Sequence, residues 1–199
     1  MPDPPRLGKL GGDPGSEAPW RPTKEQLAAA AGKTVPDVIA PNLRVLFVGI
    51  NPGLYTAAIG HHFGRPGNRF WPLLHQAGFT SRQLSPFEEQ ELLSLGLGIT
   101  NFVERASASA DELSPDEIRA GARKLEAKTC RFRPRIVAFL GMTAYRLGFD
   151  RPKAGVGLQP ETICLSKLWL LPNPSGRMAH YQMPALVRLF AELREAADA

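Results

Sequence analysis

Apolar residues in this chain come in short solid runs, and the segments between them carry helix start and stop signals. The runs are 44–48 (RVLFV), 96–103 (GLGITNFV), 135–141 (RIVAFLG), 162–165 (TICL) and 168–172 (LWLLP). Each is bounded by turn residues and rich in β-branched or aromatic side chains, which predicts strands buried on both faces. Thr23 and Gln26 form a capping box for the helix KEQLAAAAG, which Gly32 closes. NRFWPLLHQAGF, 68–79, reads as an aromatic helix with Pro72 in its first turn and a stop near Gly78. Ser85-Pro86-Phe87-Glu88 and Ser114-Pro115-Asp116-Glu117 are two further helix starts: serine cap, proline first, glutamate third. MTAYRLGF after 141 and Tyr181–Ala197 complete the helices. Strands alternating with helices predict an α/β fold. It is a three-layer α/β/α architecture around a central, mostly parallel, twisted sheet of four to five strands, with one of the last two at an edge. Residues 1–22 hold six prolines and four glycines and read as a disordered tail. Residues 23–35 follow as a short helical extension that either docks or floats, and 36–199 as a single domain.

What leaves the strands matters more than the strands themselves. The first ends in Gly49-Ile50-Asn51-Pro52-Gly53, and the last in Asn173-Pro174-Ser175-Gly176. Parallel strands are not joined by hairpins, so these two Asn-Pro loops are not both tight turns. In such sheets ligands bind at the carboxyl ends of the strands, where strand order reverses. The stretch from Gly49 to Gly67 is a long glycine-rich loop, a length associated with function.

Composition narrows the class only a little. Hydrophobic residues make up 43% and charged residues 22%, ordinary for a globular protein. The formal charge is +5. From Arg119 to Arg135 seven basic residues stand against one acid, Glu126, a stripe that either follows a phosphate backbone or is a solvated helix face. Cys130 and Cys164 are too few for a disulfide scaffold and read as two idle thiols in a reducing compartment. With no signal-peptide block and no run long enough for a membrane span, a soluble cytoplasmic protein without membrane association is expected.

No phosphate-binding P-loop, dinucleotide fingerprint, nucleophile elbow or zinc motif occurs, and the adjacent pair His61-His62 lacks metal-ligand spacing. No cofactor and no metal are expected. What remains is a pair of amide-bearing loops. The Asn51 carboxamide is a weak base that can orient water but hardly deprotonate it. That suits a reaction whose bond breaks before the nucleophile arrives, such as loss of a base from a nucleoside through an oxocarbenium-like state. Phe63 offers a ring to stack on a base, or packs within its loop.

GINPGLYTAAIGHHFGRPGNRFWPLLHQAGF together with LLPNPSG resembles the mismatch-specific uracil/thymine DNA glycosylase family, a branch of the uracil-DNA glycosylase superfamily, and its bacterial members in particular. The resemblance runs from about Ile39 to Glu195 and includes PGNRFW, GIT followed by Val103-x-Arg105, and the GARKL helix, in the family's order. It implies that Asn51 positions the attacking water, that Ile50 lines the base pocket, and that Phe63 stacks on the flipped base with its N–H facing the base edge. Thr56 would lie near the pyrimidine C5, Ala57 beside it, and first-loop N–H groups, Gly53 included, would stabilise the leaving base. Asn173, Ser175 and Gly176 would close on the phosphate backbone. The next residue, a wedge in relatives, is Arg177 here, so either Arg177 or Met178 fills the gap left by the nucleotide.

Asn101 occupies a position that varies in the family. It is either a strand-end amide bonded to backbone or a second catalytic group, in which case Asn101→Asp would add a general base. The implied activity is monofunctional hydrolysis of the N-glycosidic bond of uracil, or of thymine or damaged cytosine, opposite guanine. The implied partner is duplex DNA with a G:U or related mismatch, bound by a monomer with no protein partner. The alternatives are a non-catalytic mismatch or single-strand binder on the same fold, and a small-nucleoside hydrolase.

Overall fold

Each apolar run becomes a strand of one sheet: β1 (Val45–Gly49), β2 (Leu97–Asn101), β3 (Ile136–Leu140), β4 (Gly157–Ile163) and β5 (Ser166–Leu171). The protein is seen in a computed structural model that describes residues 21–175 and 181–199. The strand order is β2-β1-β3-β5-β4. β1 pairs parallel with β2 and β3, β3 pairs parallel with β5, and β4 is an antiparallel edge on β5. The α-helices are α1 (Lys24–Ala28), α2 (Leu54–Ile59), α3 (Phe70–Gln76), α4 (Glu91–Ser94), α5 (Pro115–Phe132), α6 (Met142–Gly148) and α7 (Met183–Asp198).

Side chains alternate across the pleat, so one apolar strand supplies two cores. Val45 and Phe47 of β1, Ile136 and Ala138 of β3, and Trp169 and Leu171 of β5 face α3 and α7. Leu46, Val48, Val137, Phe139, Leu168 and Leu170 face α5 and α6 on the other side. Phe47 anchors the first layer, its ring 5.4 Å from Phe70, 5.5 Å from Phe79 and 6.2 Å from Phe190. Such aromatic pairs add roughly 0.5–1.5 kcal/mol each beyond burial. α5 starts on the expected signals: Ser114 accepts from the Glu117 N–H, and Glu117 reaches back to the Ser114 N–H.

The structure departs from the expectations at four places and settles an open alternative at a fifth, the N-terminal extension. The 49–67 segment is not all loop, because α2 forms within it behind Gly53. The Ser85 signal nucleates only a 3-10 turn, Pro86–Glu88, before α4 and the return into β2. β4 begins at Gly157, ahead of the apolar TIC stretch, and Cys164 falls in the turn to β5. As an edge strand it tolerates polar positions and Pro160, which a central strand would not. The N-terminal extension docks: Gly32 N–H donates to Ala106 O at 2.9 Å, and Ala30 and Val35 pack with Ala57 and Ala106. Cys130 and Cys164 are not idle thiols but a disulfide, with Cα atoms 5.6 Å apart, tying the last turn of α5 to the β4–β5 turn. The compartment argument that rested on free thiols falls with it.

The basic stripe also reads differently in three dimensions. α5 leaves the carboxyl end of β2 and runs to the amino end of β3, so it leads away from the rim where GINPG sits. Arg119 is paired with Asp116, Lys124 with Glu104 and Lys128 with Asp37.

The disulfide closes a loop of sequence separation 34. Reduction, or Cys164→Ser, is expected to lower unfolding free energy by about 3–4 kcal/mol, read by denaturant titration. Equal stability with and without reductant would show that the bridge contributes nothing.

Candidate active site

Because β1, β2, β3 and β5 all run the same way, the segments after them meet at one rim of the sheet. Chain order reverses between β1 and β3, the position where open α/β sheets bind ligands. A cleft of about 290 Å³ opens there, lined by Gly49 to Gly53, Thr56, Phe63, Asn101, Asn173 and Ser175 among others. Two loops more than a hundred residues apart in sequence are thus brought together, as the strand pattern requires.

The Asn51 carboxamide is held at two points. Its Nδ2 donates to Arg105 O at 3.1 Å and to Ser107 Oγ at 2.8 Å. A backbone carbonyl only accepts. Ser107 Oγ gives its own hydrogen to Ser109 O at 2.6 Å, so it too accepts from Asn51. The amide cannot be flipped without setting its oxygen against these acceptors. Its carbonyl oxygen is therefore the end left for the cleft, and it makes no hydrogen bond among the described residues.

Behind Asn51 the floor is bare backbone. A Cβ on Gly49 would lie 2.6 Å from Asn101 Oδ1 and 3.4 Å from the Phe63 ring, so glycine is what leaves room for the Asn101 amide, while the ring would stay in ordinary contact. Asn101, at the end of β2 and opposite Gly49 in register, is buried. Its Nδ2 lies 3.5 Å from His62 Nδ1, a long contact with a side chain rather than with backbone. His62 Nε2 faces Pro36 O at 2.9 Å, so Nε2 carries the hydrogen and Nδ1 of the neutral ring is an acceptor. Burial pushes the His62 pKa down, against the upward pull of Pro36 O and the charges of Glu89 and Asp37, and together with the charge of His61.

Phe63 adopts φ 52°, a left-handed conformation uncommon for a bulky residue. Its ring stacks on Phe70, centroids 4.1 Å apart, with Ile50 and Thr56 also on the cleft wall. The Phe63 N–H donates to no group among the described residues. Thr56 is buried and its Oγ1 accepts the Gly64 N–H at 3.3 Å. Ala57, expected beside it, turns away into the packing against the N-terminal extension. His61 and His62 diverge, to Glu89 and to Pro36, and do not present a paired metal site. Arg65 stands exposed at the mouth, with no ion pair among the described residues.

On the opposite wall, Asn173 Oδ1 accepts the Ser175 N–H at 2.9 Å and shapes the loop as an Asx turn. Arg69 holds this loop from both sides. It donates from Nε to Pro174 O at 3.1 Å, from one terminal nitrogen to Ser175 O at 2.9 Å and from the other to Tyr181 O at 2.7 Å. Gly176, Arg177 and Met178 lie outside the described residues. A roomier depression of about 490 Å³ lies between 150–156 and β4. No aromatic side chain lines it, and its amide, Gln159, is used on Gly155 O and Gly157 O.

The profile of the uracil DNA glycosylase superfamily matches residues 36–197. This chain belongs to the uracil DNA glycosylase superfamily. Superfamily membership supports a uracil glycosylase role, a hydrolase acting on DNA. A solution NMR structure of a Methanosarcina acetivorans protein, provisionally named a uracil DNA glycosylase, is similar to this chain. The TM-score is 0.56 and the identity 18%, covering 82% of this chain and 98% of that one. At that identity the likeness carries the fold alone.

Sequence reasoning missed the supporting groups of this superfamily member. Arg105 and Ser107 orient Asn51 from 54 and 56 residues away, a separation no local pattern reveals. Arg69 sits inside PGNRFW, where a cation after two small residues was the only hint.

The His62 geometry has a pH consequence. Its folded pKa lies below the ordinary 6.5, so the unfolded chain takes up the proton first and stability is lost as pH falls through and below 6.5. Protonation would also set an Nδ1–H against Asn101 Nδ2. Melting temperatures from pH 7.5 to 5.0 should fall for the wild type and fall less steeply for His62→Gln. Parallel curves would contradict this assignment.

Proposed function

We propose that the chain is a monofunctional, mismatch-specific DNA N-glycosylase of the bacterial type, removing uracil opposite guanine from duplex DNA as a monomer. The observation that supports it is the orientation of Asn51, whose carbonyl oxygen is directed by Arg105 and Ser107 to the cleft that Phe63 lines.

In this reading a mismatched uracil swings out of the stack, at lower cost than a paired base. It lies on Phe63, with Ile50 and Thr56 around it. The C1′–N1 bond breaks, its electron pair leaving with the base, and N–H groups of the first loop, Gly53 and Phe63 among them, face the charge developing on the uracil oxygen. Water held by the Asn51 oxygen adds to C1′. Its proton ends on the departing base or in solvent, because a carboxamide does not retain it. Asn101 borders the same pocket, near the reacting sugar, where Asn101→Asp would add a general base. Asn173, Ser175 and Gly176 meet the phosphate backbone, and Arg177 or Met178 fills the gap in the duplex. No lysine nucleophile takes part, so the strand stays intact. Thymine and damaged cytosines are secondary substrates.

The test is a panel of duplexes carrying U:G, U:A, T:G and ethenocytosine:G, incubated with wild type and Asn51→Ala. Wild type should yield alkali-labile abasic sites from U:G first, and Asn51→Ala should be slower by about 10²–10⁴-fold. A shifted band without abasic product would make the protein a binder. Cleavage of free deoxyuridine with no salt dependence would make it a nucleoside hydrolase. Strand scission without alkali would end the monofunctional reading.

A further inference from the structure

Glu89 is a buried carboxylate, 4% exposed, that the chemistry above does not use. It follows the Pro86–Glu88 turn, and both its oxygens point at one short segment. Oε1 meets His61 Nδ1 at 2.9 Å, and Oε2 accepts the His62 backbone N–H at 2.8 Å. The carbonyl on the far side of the same residue, His62 O, accepts the Trp71 Nε1–H at 3.3 Å. His62, the residue just before Phe63, is thus held through both its backbone N–H and its carbonyl.

Phe63 needs holding. Its backbone is left-handed, which a phenylalanine does not adopt without support from its surroundings. Released, the segment would relax toward an extended or right-handed conformation, and the ring would leave its stack on Phe70. Burying a carboxylate is unfavourable unless its oxygens are satisfied, and here both are satisfied by the residues that lead into Phe63.

We propose that Glu89 is a positioning residue: through His61 and the His62 N–H it fixes the strained backbone of Phe63, and so presents the ring to the base. This rests on the reading above only for what Phe63 touches; the position of the ring is independent of it. Glutamine at 89 conserves the arrangement. Its oxygen accepts the His62 N–H, and its NH₂ donates to Nδ1 of a neutral His61. Alanine removes both bonds.

The experiment is a double-mutant cycle of Glu89→Ala with Phe63→Ala, with Glu89→Gln as rescue. It is read by single-turnover excision from U:G duplex and by NMR of the Phe63 ring protons and the His62 amide. Glu89→Ala should slow excision by about ten- to a hundredfold. Glu89→Gln should restore most of the rate, and Glu89→Ala should add nothing in the Phe63→Ala background. The Phe63 ring shifts and the protection of the His62 amide should change in Glu89→Ala and return in Glu89→Gln. Should Glu89→Ala not fold, His61→Ala, which removes one bond from a side chain about a third exposed, should give a smaller loss that also vanishes without Phe63. Additive losses, or ring shifts indifferent to residue 89, would overturn the proposal. Absent excision by wild type overturns only the function above, since the ring shifts still decide where Glu89 acts.

Discussion

Donation of both Nδ2 hydrogens of Asn51 to Arg105 O and Ser107 Oγ fixes which end of the carboxamide faces the cleft, and the rest of the site is arranged around that choice. An amide free to flip would present a donor half the time and would hold water poorly for attack. Ser107 enforces the choice because its own hydrogen is already given to Ser109 O. A weak base held in one orientation contributes by positioning rather than by taking a proton. That is consistent with a reaction in which charge separation precedes nucleophilic attack.

The scaffold places those partners with unusual economy. The 102–107 segment runs alongside the GINPG loop: Phe102 N–H donates to Gly49 O, Val103 N–H to Ile50 O, and Ser107 N–H to Pro52 O. The same segment is bound from the other side by the N-terminal extension, through Gly32 N–H to Ala106 O and Ala106 N–H to Lys33 O. A helix-bearing extension remote from the cleft therefore buttresses the groups that orient Asn51. Arg69 does the equivalent for the opposite wall by joining both sides of the NPSG loop, and Glu89 for the Phe63 segment. Apart from Arg65 at its mouth, the cleft is lined by backbone and neutral side chains, while Arg69 and Glu89, the charges that hold its walls, lie one layer behind.

Much of this was legible in the chain itself. Solid apolar runs such as RIVAFLG have no polar face to expose, so they belong in the middle of a covered sheet. Once the strands are parallel, the Asn51 and Asn173 loops must share a rim. The helix of residues 115–132 was legible because its cap is made by residues three apart. Less legible was anything that depends on long-range pairing. The Cys130–Cys164 bridge exists because the β4–β5 turn meets the end of α5, a contact that composition does not encode. Likewise the basic stripe stood open between a phosphate-tracking face and a solvated helix face until the topology sent α5 away from the cleft and three of its cations found acids. The β4 edge was placed late because edge strands lose the hydrophobic signal that identifies central ones. Ala57 went astray for a different reason: one residue's rotation on α2 separates a cleft wall from a packed core.

If orientation rather than basicity is what Asn51 supplies, the substitution Asn51→Asp separates the two. An aspartate is the stronger base but has no hydrogen for Arg105 O or for Ser107 Oγ, so it cannot occupy the same arrangement. Single-turnover excision of uracil from a U:G duplex at neutral pH should fall at least about tenfold below wild type in this variant. A rate equal to or above wild type would contradict the account.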